Sequence, residues 1–236
     1  MTLRPEELHS GTGGESIADT SKILSTYGNA FMLRTDSDKK LDEFKKYSNI
    51  PIINGLSPSS HPTQVLSDIF TIQEIKKKSI SKLKLCWIGD ANNNMMNSLI
   101  EACIKFSVSL NIACPKSYQP NKMLISLIKK QKGKIKIFNK KEIAVKNSDV
   151  VMTDKIISLN DKVNKKKKLK SFKNYKVDTK TMNLAKKDAI FLHCLPRGNE
   201  VTEEVFLGKQ SRVWQQALNR VYVQKSILLY CFGKLR

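Results

Sequence analysis

The chain has 236 residues, 40% of them hydrophobic, with 42 lysines and arginines against 21 acidic residues, a net charge of +21. That apolar content supplies a packed core and excludes general disorder, while no apolar run approaches the roughly 20 residues of a membrane helix. The charge invites nucleic acid as a partner, but the excess is lysine spread along the chain, as in Lys76-Lys77-Lys78 and Lys165-Lys166-Lys167-Lys168, with few of the arginine forks and interleaved aromatics that specific nucleic-acid sites use.

In chain order, Ser16 to Tyr27 has helical spacing, Ala30 to Leu33 and Ile50 to Ile53 read as short strands, and Gln64 to Ile75 as a helix. From residue 82 the alternation becomes regular. Strands are predicted at Lys84 to Ile88, Ser109 to Ala113, Lys134 to Phe138, Asp149 to Thr153 and Ala189 to Leu195, with helices at Asn94 to Phe106, Asn121 to Lys130 and Thr181 to Lys186. Lys162 to Lys170 reads as an exposed loop or helix end, and Ser211 to Tyr230 as a long amphipathic helix. The fold class is therefore α/β: two doubly wound, Rossmann-like parallel-sheet units, the first incomplete, and a long C-terminal helix. Ligands of such sheets bind beyond the carboxyl ends of the strands, which directs attention to Asp90 to Asn94, Asp154 to Leu159 and Cys194 to Pro196.

The start, Met1-Thr2-Leu3-Arg4-Pro5-Glu6-Glu7, has no apolar signal segment, so a cytoplasmic location is expected. The cysteines (Cys86, Cys103, Cys114, Cys194, Cys231) lack CxxC spacing, and all but Cys194 are expected to be buried, unpaired thiols. No metal is expected. Ile88-Gly89-Asp90 follows a strand and precedes a helix but carries one glycine where a dinucleotide fingerprint has three, which disfavours a nucleotide cofactor. Asn92, Asn93 and Asn94 suit capping of the next helix and equally the polar end of a zwitterion. His61-Pro62-Thr63-Gln64 opens a helix whose free amides favour anions, although the same pattern serves as an ordinary helix start. His193-Cys194-Leu195-Pro196 ends the most hydrophobic strand; a hydrogen-bonded core histidine and an active-site residue both fit there. Asp154 is a capping aspartate or a ligand for an amine.

Together these stretches resemble the transcarbamylases, and within them the ornithine carbamoyltransferases. The resembling segments are Gly14 to Thr20, Leu33-Arg34-Thr35, Ile53-Asn54-Gly55-Leu56 leading to His61-Pro62-Thr63-Gln64, Trp87-Ile88-Gly89-Asp90, Asp154 with Ser158, His193-Cys194-Leu195-Pro196, and Glu200-Val201-Thr202 through Asn219-Arg220, in the family's order. The resemblance implies transfer of the carbamoyl group of carbamoyl phosphate to the δ-amino group of L-ornithine, giving citrulline and phosphate, a step of arginine biosynthesis or of ornithine and citrulline metabolism. No cofactor is implied, because oriented hydrogen bonds and positive charge can stabilise the tetrahedral state. It assigns Arg34, His61, Gln64, Cys194, Leu195 and Arg220 to carbamoyl phosphate, with Arg34 and His61 on its carbonyl side and Gln64 on its amide, and Asn94, Asp154, Ser158 and Leu159 to ornithine. Asp154 and Cys194 would place and deprotonate the attacking amine. A homotrimer is implied, with His9 reaching a neighbouring subunit's site. The implied domains are a partial carbamoyl-phosphate-binding domain at 1–78, an ornithine-binding domain at 79–210, and a helix at 211–236 packing back on the first.

Departures from the family are specific. The phosphate clamp Ser-x-Arg-Thr-Arg does not occur in the 236 residues and is expected upstream of Met1. Lys155 and Ile156 replace the usual threonine and tryptophan, Leu159 a methionine, and Leu218 a glutamate. Each charge-assisted hydrogen bond to phosphate is worth roughly 1.5–3 kcal/mol, so these residues alone are expected to be weakly active or inactive, and poorly soluble if apolar faces are left uncovered. Other readings are a transcarbamylase for a different amine, a non-catalytic remnant, and a nucleic-acid binder.

Overall fold

The computed structural model describes residues 14–157 and 164–235. The chain packs as two compact units, Met1–Thr63 with Tyr222–Arg236, and Gln64–Val221. In the first, α1 (Ile17–Tyr27), β1 (Phe31–Arg34), α2 (Asp38–Tyr47) and β2 (Ile52–Leu56) follow one another. Ser16 and Ser37 cap the two helices, each side chain accepting from a backbone N–H three residues on. The strands pair in parallel, Phe31 opposite Ile52, and Leu24, Leu33 and Phe44 form the core, with Phe31 stacked on Phe44 at 6.0 Å. The charged α2 is not among the sequence-predicted helices, although Leu41 and Phe44, three residues apart, face the core of this unit.

The second unit begins within α3 (Pro62–Lys76) and runs through β3 (Lys84–Ile88), α4 (Asn94–Lys105), β4 (Ser109–Ala113), α5 (Lys122–Lys130), β5 (Ile135–Phe138), α6 (Lys141–Val145), β6 (Val150–Thr153), α7 (Lys165–Ser171), α8 (Thr179–Asn183), β7 (Ile190–His193), α9 (Glu203–Phe206) and into α10 (Val213–Cys231). Its five strands are parallel in the order β5-β4-β3-β6-β7. Both sheet faces are covered, which is why the strands read as unbroken apolar runs. Leu85 and Trp87 pack with Val65, Ile69 and Ile72 of α3 and with α4 and α5. Cys86 and Ile88 pack on the other face with α6, α8, α9 and Val213. Order and layers are those of a doubly wound sheet, and the long final helix is present as expected.

Three sequence expectations need correction. In the lysine-rich segment, Asn164 caps α7, which is a largely exposed helix in keeping with the helix-end alternative, but Lys168 is buried, its side chain 4% exposed, in an ion pair with Asp90 at 2.6 Å. Cys231 is only half-buried, unlike Cys86, Cys103 and Cys114. In α10 the buried residues are Val213, Gln216 and Asn219, while Trp214, Leu218, Val221, Tyr222, Leu229 and Tyr230 are exposed; the inward stripe is largely polar because it carries hydrogen bonds. No helix among the described residues is long and apolar enough to cross a membrane.

Candidate active site

The sheet winds outward in opposite directions from β3 and β6, so the crevice beyond their carboxyl ends is where such folds hold ligands. The turn after β3 is built on Gly89, whose φ of +143° suits glycine and whose Cα carries no Cβ to press on Thr153 Oγ1, 3.2 Å from where one would lie. Asp90 follows. Its Oδ1 accepts from the N–H of Asn92 at 2.8 Å and its Oδ2 from Lys168, and Lys168 also lies 5.6 Å from the Tyr118 ring centre. Of the three asparagines, Asn93 caps α4, accepting from Met96 N–H at 2.8 Å. Asn94 is the first residue of α4 and is half-buried.

Beyond β6, Asp154 Oδ1 accepts from the Cys194 thiol at 3.0 Å and from the Lys155 N–H at 2.6 Å. Burial raises the Asp154 carboxyl above its ordinary value against these hydrogen bonds. Burial, then the Asp154 charge and hydrogen bond, hold the Cys194 thiol well above the ordinary range, so Cys194 is a proton donor to the carboxylate and not a thiolate nucleophile. Ile156 is buried in the second core cluster, so its side chain fills space beneath the Gly89 turn.

His193 is buried at the end of β7. Its Nε2 meets Glu200 Oε1 at 2.9 Å and its Nδ1 meets the Cys194 carbonyl. Burial raises the Glu200 carboxyl, but hydrogen bonds from His193 and Gly198 outweigh it and hold the group below its ordinary value. The ring thus ties the Cys194 backbone to Glu200. Asp154, His193 and Cys194 bring ligand-type atoms within 4.8 Å of one another. Metal binding would need a Cys194 thiolate and a free ring nitrogen; here the thiol proton is held by Asp154 and both ring nitrogens face acceptors.

On the helical side, the His193 N–H donates to Gln216 Oε1 at 3.0 Å, Gln216 Nε2 donates to Asp68 Oδ1 at 2.7 Å, and Gln64 Nε2 donates to the same oxygen at 2.9 Å. Asp68 is buried, and burial pushes its carboxyl up to about 6 against the two amide hydrogen bonds and the nearby charge of Arg220. Asn219 donates to Thr71 Oγ1 at 2.9 Å and to Glu74 Oε2 at 2.8 Å.

The second unit therefore brings together Cys194 and Asp154 directly, with Gln64 and Arg220 around Asp68, Leu195 exposed beside Cys194, and Asn94 at the head of α4. Arg34 and His61 belong to the first unit: Arg34 is exposed at the end of β1, and His61 is buried just ahead of α3. Ser158, Leu159 and His9 lie outside the described residues. Sequence reading missed Asp68, Gln216, Lys168 and the pairing of Glu200 with His193. Asp68 stands four residues after Gln64 on one helix, a spacing that puts both side chains on one face; Lys168 sits in a run of four lysines and has no such signal.

Comparison with known proteins gives a consistent result. Residues 81–231 match the aspartate/ornithine carbamoyltransferase Asp/Orn binding domain, and residues 1–74 the carbamoyl-P binding domain of the same family. The chain is similar to the ornithine carbamoyltransferase of Caldicellulosiruptor saccharolyticus, 44% identical over 100% of this chain and 78% of the relative. That of Methanococcus aeolicus is 42% identical over 99% and 79%. Among solved structures, the anabolic ornithine carbamoyltransferase of Campylobacter jejuni superposes with a TM-score of 0.87 at 38% identity, covering 94% of this chain and 75% of that one. The Pyrococcus furiosus ornithine carbamoyltransferase gives 0.86 at 37%, covering 94% and 72%.

Proposed function

This chain belongs to the aspartate/ornithine carbamoyltransferase family, and we propose that it transfers the carbamoyl group of carbamoyl phosphate to the δ-amino group of L-ornithine, giving L-citrulline and phosphate. The observation that carries the reading is the Asp154–Cys194 pair at the carboxyl ends of β6 and β7. The reaction needs a neutral amine. Its lone pair attacks the carbonyl carbon, the C–O bond to phosphate breaks, and one proton leaves the nitrogen. A carboxylate raised by burial and still hydrogen-bonded is a stronger base than an exposed one. Asp154 receives or directs that proton, and the Cys194 thiol turns toward the carbamoyl group when the amine takes its place on the carboxylate.

Gln64 and Arg220, with the Leu195 backbone, hold carbamoyl phosphate in this reading, and Arg34 and His61 polarise its carbonyl oxygen. Asn94, Ser158 and Leu159 hold the amino-acid end of ornithine. A homotrimer acting in the cytoplasm completes the proposal, and analytical ultracentrifugation measures the trimer. The test of the reaction is citrulline formation by the wild-type chain and by Asp154→Asn and Cys194→Ala. Citrulline is expected from the wild type, with a loss of about 10²–10⁴-fold in Asp154→Asn, the range a general base contributes, and a measurable loss in Cys194→Ala. No citrulline from the wild type, or unchanged rates in both variants, overturns it.

A further inference from the structure

We propose that Asp68 and Gln216 are positioning residues that lock the Gln64 side-chain amide in one orientation, its carbonyl oxygen presented to an N–H donor of the substrate. This rests on the carbamoyl-transfer reading, in which Gln64 meets the carbamoyl amide, and adds to it what orients Gln64. A backbone N–H is a donor that cannot reverse. The His193 backbone N–H donates to Gln216 Oε1, which fixes Gln216 Nε2 as the end facing Asp68. Asp68 Oδ1 thus accepts from Gln216 and, at the same atom, from Gln64 Nε2. A carboxylate accepts only, so the Gln64 NH2 must point at Asp68, and its Oε1 is the end left for a ligand.

The chain crosses three elements, β7, α10 and α3, and every link is buried. Asp68 Oδ2 meets no hydrogen-bond partner among the described residues. A buried carboxyl with one unsatisfied oxygen is costly to keep, and it is retained where it orients the two amides. The group recognised is the –NH2 of a carbamoyl or urea-like function. An acyl phosphate with a methyl in that place, such as acetyl phosphate, would leave the Gln64 carbonyl unpaired, the kind of mismatch by which polar sites reject isosteres.

The charged and titratable groups facing Asp68 are Arg220 on α10, Asp154 beyond β6 and Cys194 beyond β7. The first test is NMR of the 236-residue chain labelled with 15N at the glutamine side chains, with Gln64 assigned through Gln64→Ala. The Gln64 and Gln216 NH2 signals are expected to move together as pH is taken through about 6, and neither is expected to move in Asp68→Asn. A Gln64 signal that ignores the titration overturns the proposal, whatever the activity of the chain. The second test separates orientation from general structure. Asp68→Leu is expected to raise KM for carbamoyl phosphate about tenfold, the worth of one hydrogen bond of about 1.4 kcal/mol, with KM for ornithine unchanged. Asp68→Asn, whose amide oxygen still accepts, recovers most of that loss, and neither change adds to Gln64→Ala. Equal losses for both substrates, or full additivity with Gln64→Ala, overturn it. Absence of citrulline from the wild type sinks the functional reading while the NMR result still stands or falls by itself.

Discussion

Lys168 and Lys165 are three residues apart on α7 and chemically identical, yet they are expected to behave differently. Lys168 pairs with Asp90 where both side chains are almost fully buried, and removing one partner strands the other charge. Lys168→Met is therefore expected to cost about 3–5 kcal/mol in urea unfolding, against about 0.5 kcal/mol or less for the exposed Lys165→Ala. Equal small effects would contradict the assigned burial. The lysine run is also where sequence reading was blind, since a single buried member is set by tertiary placement and leaves no trace in local composition. Cys194 offers a second residue-level check. Its thiol is held protonated by burial and by Asp154, so iodoacetamide at pH 8 should label the half-buried Cys231 first, and Asp154→Asn should speed labelling of Cys194. Faster labelling of Cys194 in the wild type would count against the pair.

At the scale of elements, the strands of the second unit were legible because burial on both faces leaves continuous apolar runs, and their carboxyl ends marked Asp90, Asp154 and Cys194. The polar links between elements were not legible, since each joins residues far apart in sequence, as Asp68 and Gln216 show. The α10 pattern misled for a related reason: its buried stripe is chosen for hydrogen bonding and its apolar side chains face outward. Gly89→Ala puts a Cβ at a φ of +143° against Thr153, a strain on the order of 1–3 kcal/mol, measurable as a lowered urea midpoint. Asp68 ties α3 to α10 and has its carboxyl raised to about 6 from 3.8. A carboxyl raised on folding stabilises the protein fully below its unfolded value, and that contribution is lost as pH rises through about 6. The wild type should therefore lose about 1 kcal/mol relative to Asp68→Asn between pH 5 and pH 7. Glu200 acts in the opposite sense, its depressed carboxyl lending stability that disappears on acidification. A pH-independent difference between wild type and Asp68→Asn would contradict the raised carboxyl.

For the whole molecule, the charge of +21 is a property of lysine-rich surfaces more than of any one site. Nucleic-acid binding is expected to be weak, unsaturated at about 0.15 M salt, and steeply dependent on salt; saturable binding to duplex DNA under those conditions would reopen that reading. The fold class and the order of the candidate site segments could be read from the chain, because strand ends and motifs follow each other in sequence. The contribution of the second unit's interior could not, because it lies in which buried groups meet. The most direct measurement of the central claim is carbamoyl transfer from isotopically labelled carbamoyl phosphate in an equimolar mixture of L-ornithine, L-aspartate, putrescine and an acylated ornithine. Labelled citrulline is expected as the main product. Predominant labelling of another amine, or of none, would contradict the account.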